Sequence, residues 1–222
     1  MNEKSNRFKY FLLIFCIVII PYILIIGNFR LILYGTGYYQ EQFVKNGVYI
    51  ETPNADSLLD NLLGFLKSKN ELGPEYNDRE SSHMNDVRFL MTALLLLFYT
   101  FVILLIGAIY LLINKYKLSL TKIMWILASG SIFTILIIIA FYVFQDNFVA
   151  IFDSFHLIFF KGSTWVFSSE DTLIKLFPLE FFYDISYKIF YNSLVSALSL
   201  FGICIAINMY YNYYLERNTT KQ

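Results

Sequence analysis

At 222 residues, with 57% hydrophobic and only 15% charged side chains, the chain is too apolar for a soluble domain of its length, which would aggregate. Seventeen Lys and Arg balance seventeen Asp and Glu, so the formal charge is zero and the polybasic surface that a nucleic-acid partner requires is missing. Several uncharged stretches of about 20 residues match the ~30 Å hydrocarbon thickness at ~1.5 Å rise per helical residue, and they predict an integral membrane protein.

The first hydrophobic span runs from Tyr10 to Ile26, with Pro21 as an expected kink. It then meets Gly27, Asn28 and Arg30 without a small-x-small cleavage site, and so reads as an uncleaved anchor. Cys16 follows Ile14 and Phe15, where a lipobox needs small residues, so it reads, like Cys204, as a small apolar core residue rather than a lipidation site. From Gly27 to Arg88 the chain becomes more polar. Within that segment Gly47 to Glu51 alternates like a short strand, and Ser57 to Leu66 places Leu58, Leu59, Leu62, Leu63 and Leu66 at helical spacing, predicting a helix on the membrane surface. Asn70 to Ser82, with Gly73, Pro74, Asn77, Asp78 and Ser81, reads as a loop.

The second span covers Phe89 to Ile113 and the third Ile123 to Phe144. A second polar segment, Gln145 to Lys188, follows; there Ser168 and Asp171 can cap a helix with Leu173, Ile174, Leu176 and Phe177 on its apolar side. Pro178 should end or kink that helix ahead of an aromatic run from Phe181 to Tyr187. The fourth span, Ile189 to Tyr210, is interrupted by Asn192, Ser193, Ser196, Ser199 and Asn208. Each span must be helical, because an isolated strand in lipid leaves its backbone groups unpaired. The expectation is an all-α integral membrane protein: one domain over 1–222, a four-transmembrane-helix bundle with two extracytoplasmic segments, 27–88 and 145–188, forming a small cap.

Orientation follows from the basic residues near the span ends. Lys4, Arg7 and Lys9, then Lys115, Lys117 and Lys122, then Arg217 and Lys221 flank one side, which predicts that both termini are cytoplasmic. Tyr116, Trp125, Tyr210, Tyr211, Tyr213 and Tyr214 fit an interfacial aromatic belt on that side.

No Asp, Glu, Lys, Arg or His falls within the four spans, which argues against a proton-coupled transporter or ion pump. Ionisable residues collect instead in Arg79 to Arg88 and Asp146 to Asp171, and each window holds one of the two histidines. Glu80, His83 and Asp86 stand three apart at the entrance to span two, so either carboxylate could orient the imidazole; Asp153 stands three before His156. A histidine suits acyl transfer, since a pKa of about 6.5 lets it accept a proton from an attacking group and return it to a leaving oxygen. A solvated surface histidine is the plainer alternative for either. Ser154 and Ser163 are further nucleophile candidates outside any GxSxG motif. A zinc site from the two histidines and two carboxylates lacks ligand spacing, so neither metal nor cofactor is expected. The residues alone also fit a histidine-dependent membrane lipid hydrolase or acyltransferase. They fit as well a non-enzymatic subunit packing through Gly107, Ser129, Gly130, Ser131 and Gly202.

Two windows carry a more specific signal: Glu80 to Leu90, ESSHMNDVRFL, and Phe155 to Phe182, FHLIFFKGSTWVFSSEDTLIKLFPLEFF. Their His-x-x-Asp-Val, Phe-His, Trp, Asp-x-Leu-Ile and Leu-Phe-Pro elements, in this order and on this four-span layout, resemble the bacterial lipoprotein intramolecular transacylases, called Lit. Arg88 stands where that family usually has Lys, which keeps the charge. The resemblance implies an enzyme at the outer leaflet of Gram-positive-type membranes. It would move the sn-2 acyl chain of a diacylglyceryl lipoprotein to the α-amine of that lipoprotein's N-terminal cysteine, leaving a lyso-form. It further implies His83 and His156 as the catalytic pair. The expected assignment has His83 as base, oriented by Asp86 or Glu80, with the reverse assignment to His156 left open by the sequence; Trp165 and Asp171 either shape the substrate site or serve as interface anchor and helix cap, and lipoprotein and membrane lipid are the expected partners.

Overall fold

A computed structural model describes residues 3–160, 162 and 164–219, with the side chains of Glu216, Asn218 and Thr219 outside that description. Ser163 and Lys221, singled out above, lie outside the described residues. Every regular element among the described residues is helical: α1 (Glu3–Leu33), α2 (Thr36–Lys45), α3 (Val48–Glu51), α4 (Ala55–Leu66), α5 (Asp78–Asn114), α6 (Leu120–Phe144), α7 (Phe148–Phe159), α8 (Thr172–Leu176) and α9 (Leu179–Thr219). A 3-10 turn, Gln145–Asn147, joins α6 to α7. Four segments are long and apolar enough to cross a membrane, and each contains one of the expected spans. The protein is membrane-integral. α1 continues through Pro21, and α9 starts directly after Pro178, whose ring favours the residues that open a helix.

The chain forms two compact units, and α1, α5 and α9 each contribute residues to both. The unit of residues 1–28, 97–143 and 190–222 is built from the apolar helices. Leu12 and Cys16 of α1 pack with Ala108 and Leu112 of α5 and with Ile123 and Ile126 of α6. Gly130 lets α1 approach α6 closely, since a Cβ there would lie 2.8 Å from the Cβ of Ile20. A Cβ added at Gly107 or Gly202, by contrast, would meet no packing neighbour within 4 Å among the described residues. Cys16 and Cys204 are both buried free thiols, as core residues should be. Tyr116 departs from the expected aromatic belt: it is buried among Leu112, Leu118 and Ile123, because the short link between α5 and α6 folds back under the helix ends. Trp125, Tyr210, Tyr213 and Tyr214 remain exposed.

The second unit, residues 29–96 and 144–189, has its own core. Leu58, Leu59, Leu62 and Leu63 of α4 pack on Tyr39 and Phe43 of α2, Leu173 and Leu176 of α8, and Phe177 and Phe181. The α4 leucines therefore fill a protein core, where a helix lying on the membrane surface was expected; tyrosine and phenylalanine rings cover the stripe that lipid would otherwise meet. The expected strand at Gly47 to Glu51 is also corrected. Gly47 turns the chain at φ +68, and Thr52 N–H donates to the Val48 carbonyl at 2.8 Å, closing a helical turn. A lone strand without a ladder partner is not stable, whereas one helical turn satisfies its own backbone. α2 was not anticipated, although Tyr39, Gln42 and Phe43, its buried residues, stand at helical spacing.

Candidate active site

The first turn of α5 is fixed by a reciprocal pair. Asn77 Oδ1 accepts from the Glu80 backbone N–H at 3.0 Å, while Glu80 Oε2 accepts from the Asn77 N–H at 2.8 Å. This is a capping box with Asn in place of Ser or Thr, and it satisfies two amides that the helix start leaves unpaired. The second carboxylate oxygen, Oε1, accepts from the Leu173 N–H of α8 at 2.7 Å, and Glu80 is only 1% exposed. Asn77 and Arg79 also reach α8: they donate to the Asp171 carboxylate at 2.7 and 2.9 Å. Asp171 in turn accepts from the Ser168 N–H at 2.6 Å and from its hydroxyl at 3.1 Å. Those Ser168 bonds first, then Asn77 and Arg79, hold the Asp171 carboxyl below the usual carboxylate range. The expected capping pair is thereby corrected: α8 begins at Thr172, and Asp171, at its N-cap position, aims its side chain back at Ser168 and across to α5. Ile174 is exposed, while Leu173, Leu176 and Phe177 are buried.

One turn beyond Glu80, His83 is buried; His156 is the one buried residue of α7. Seventy-odd residues apart in the chain, the two imidazoles lie with centroids 6.0 Å apart and planes at 27°. Phe160 and Phe167 meet His83 edge-on at 4.8 and 5.4 Å, and Phe152 and Trp165 pack on His156 at 4.2 and 4.8 Å. An aromatic wall thus encloses the pair.

The two rings differ electrically. His156 Nδ1 lies 2.7 Å from the Phe152 carbonyl, one helical turn back. A carbonyl can only accept, so Nδ1 carries the hydrogen and the lone pair of neutral His156 sits on Nε2. His83 Nδ1 is buried without a hydrogen-bond partner among the described residues. His83 stands ahead of the apolar stretch of α5, and burial there, reinforced by nearby His156 and only partly offset by Asp86, lowers its pKa to about 4. It is therefore neutral at neutral pH.

The carboxylates expected to orient the histidines do otherwise. Glu80 spends both oxygens on backbone amides and makes no bond to His83. Asp86 is exposed and acts on His83 only through its charge. Asp153 is exposed, and a backbone carbonyl takes the place expected for it at His156. Trp165 does join the histidines, packing on His156, whereas Asp171 ties Asn77 and Arg79 to Ser168. Ser154 donates to the Ala150 carbonyl at 2.6 Å, the usual arrangement of a helix serine. Among the described residues no three His, Cys, Asp or Glu side chains gather as metal ligands. The Asn-x-x-Glu signature that ties Asn77 to Glu80 was readable ahead of the apolar run, and the loop assigned there obscured it.

The family model described as lipoprotein intramolecular transacylase Lit matches residues 8–182. Among solved structures, the membrane-integral lipoprotein intramolecular transacylase Lit from Bacillus cereus is similar, with a TM-score of 0.78 at 21% identity over 97% of this chain and 99% of that one. A variant of the Bacillus protein in which one histidine is replaced by alanine is similar with a TM-score of 0.75, over 97% of each chain. At this identity the likeness speaks for a shared fold. An uncharacterized protein of Aquifex aeolicus is 30% identical over 121 residues, 54% of this chain and 52% of that protein. The match thus spans about half the length of that curated relative.

Proposed function

Because the chain belongs to the lipoprotein intramolecular transacylase Lit family, whose model spans residues 8–182, we propose that it moves the sn-2 acyl chain of a diacylglyceryl lipoprotein to the α-amine of the same molecule's N-terminal cysteine. The observation that carries this reading is the enclosed pair of His83 and His156, 6.0 Å apart, with one imidazole held in a defined tautomer.

Nucleophile and ester belong to one substrate molecule, so holding that molecule in an attack geometry can supply ~7–11 kcal/mol as effective molarity, and no enzyme nucleophile is needed. The substrate amine, with an ordinary pKa of about 8, attacks as the free base. His156 Nε2 takes the proton released as the C–N bond forms and returns it to the glyceryl oxygen as the ester C–O bond breaks. The amide and a free sn-2 hydroxyl result, with no net gain or loss of atoms. His83, neutral and free of a carboxylate partner, hydrogen-bonds the leaving oxygen. Of the two assignments that the sequence leaves open, this one is favoured by the backbone carbonyl at His156 Nδ1, which leaves the Nε2 lone pair free. Acyl chains run along the exposed apolar side of α7, where Phe155, Ile158 and Phe159 line an open groove.

The reading places the histidines at the outer leaflet and both termini in the cytoplasm; Lys4, Arg7 and Lys9 ahead of the first apolar span, Lys115 and Lys117 between α5 and α6, and Arg217 support that orientation. It takes 1–222 as one functional domain that needs no cofactor.

The test is incubation of purified protein with a defined diacylated lipopeptide. Transacylation leaves the mass unchanged while the amine becomes acylated and the sn-2 hydroxyl appears; release of free fatty acid would instead mark a hydrolase. Ala in place of His83 or His156 should lower conversion by about 10²–10⁴-fold, the usual worth of a general acid–base group. Full activity in both variants removes the mechanism.

A further inference from the structure

Beside the histidines stands a donor that the acyl-transfer scheme above leaves unused. The indole Nε1 of Trp165 is buried and, among the described residues, has no hydrogen-bond partner. Its ring packs on His156 with centroids 4.8 Å apart and planes at 32°. Buried indole N–H groups ordinarily find an acceptor, and a native orphan at a reactive centre calls for a cause. Two neighbouring polar atoms are also unpaired, His83 Nδ1 and Thr164 Oγ1, but each has a way out. Imidazole can shift its hydrogen to the other nitrogen, and a hydroxyl can rotate. Indole can do neither: it is a donor only, its N–H is fixed in the ring plane, and the ring is packed on His156.

We infer that the Trp165 N–H is the oxyanion donor of the acyl transfer, a role that rests on the transacylase reading. When the substrate amine attacks the sn-2 ester carbonyl, the C–O π pair moves onto the carbonyl oxygen, and that oxyanion accepts from Nε1–H. The pair returns to re-form the carbonyl as the glyceryl C–O bond breaks and the departing oxygen takes the amine's proton. Trp165 gives up no proton in this cycle. Because the ring that donates also rests on the ring that moves the proton, one contact fixes the distance between the oxyanion donor and the base. An acceptor of full negative charge gains far more from a preorganised N–H in an aromatic enclosure than a neutral ester does, so the bond acts mainly in the transition state.

The experiment compares Trp165→Phe with a protein carrying 3-benzothienylalanine at the same position, an indole isostere in which sulfur replaces the N–H. Both keep an aromatic face on His156. Turnover of the diacylated lipopeptide at saturation should fall by about 10²–10³-fold in both, as for loss of one oxyanion donor, with apparent KM changed little. Benzothienylalanine that restores wild-type turnover would overturn the proposal and leave packing as the role of the ring. Loss of activity together with a collapsed thermal transition in both would likewise assign Trp165 to structure. If the unaltered protein converts no lipopeptide, the transacylase reading itself fails and the oxyanion role with it, an outcome distinct from a wild-type rate in the isostere.

Discussion

Glu80 joins two stretches of chain 93 positions apart: its Oε1 accepts from the Leu173 amide at 2.7 Å while its Oε2 holds the Asn77 amide at 2.8 Å. One carboxylate, almost fully buried, thus starts the helix that carries His83 and anchors α8, at the end of the loop that carries Trp165 and Phe167. Glu80→Gln should expose the consequence. An amide has a single acceptor oxygen, so one of the two backbone N–H groups would face an NH2. Leaving a buried donor unsatisfied costs about 1–3 kcal/mol, and thermal unfolding in detergent should shift down accordingly. Transacylation should fall as well, through displacement of the loop against His83. An unchanged transition temperature would show that the bond to Leu173 is dispensable.

His83 should titrate well below an ordinary histidine. With its folded pKa pushed to about 4 from an ordinary 6.5, His83 binds its proton more weakly in the folded state than in the unfolded one. Its contribution to stability is therefore present at neutral pH, diminishes as the pH falls below about 6.5, and is gone below the folded value. Nitrogen-15 NMR of a chain with only two histidines can follow this directly, and assignment by His156→Gln isolates the signal. A His83 resonance that titrates near 6.5 would contradict the enclosed, unpaired environment described for it.

Gly130 sets the approach of α1 to α6. A methyl group there would sit 2.8 Å from the Ile20 Cβ, a position that a change of side-chain rotamer cannot relieve. Gly130→Ala should therefore destabilise the apolar unit by about 1–3 kcal/mol, as overpacking does, while Gly202→Ala, which meets nothing within 4 Å, should leave unfolding unaltered. Equal transition temperatures for the two variants would remove the close-approach role.

Orientation can be read by thiol labelling, because Cys16 and Cys204 are buried and give little background. Ser169→Cys, in the loop ahead of α8, and Ser119→Cys, in the link between α5 and α6, introduce thiols at exposed positions. In intact cells a membrane-impermeant maleimide should label the first and spare the second until the membrane is opened. The reverse pattern would invert the topology and move the histidines to the cytoplasmic side.

Much of the fold was legible because the bilayer imposes a simple code: an uncharged run near twenty residues must be a helix, and all four runs lie within long helices. The polar segments were harder to read. Leucines at helical spacing announced α4, but whether lipid or protein would cover them depended on Tyr39, Phe43, Phe177 and Phe181, residues brought up from other parts of the chain. Gly47 to Glu51 alternated by composition, and local hydrogen bonding turned it into a helical turn. Glu80, Asp86 and Asp153 sat at the right spacing from a histidine; spacing fixes which side of a helix a carboxylate shares, not which stronger donor it meets first.

The sequence by itself determined that the chain lives in a membrane, that it crosses it on four helices, and that its two histidines fall in two windows rich in ionisable residues, since hydropathy and residue type are local properties. Only the tertiary structure decided that the windows meet, that a backbone carbonyl rather than an acid orients His156, and that Glu80 serves as a clasp. Hydrogen bonds reward whichever partner the fold brings within about 3 Å, and that distance is a property of the packed chain, which no stretch of it encodes alone.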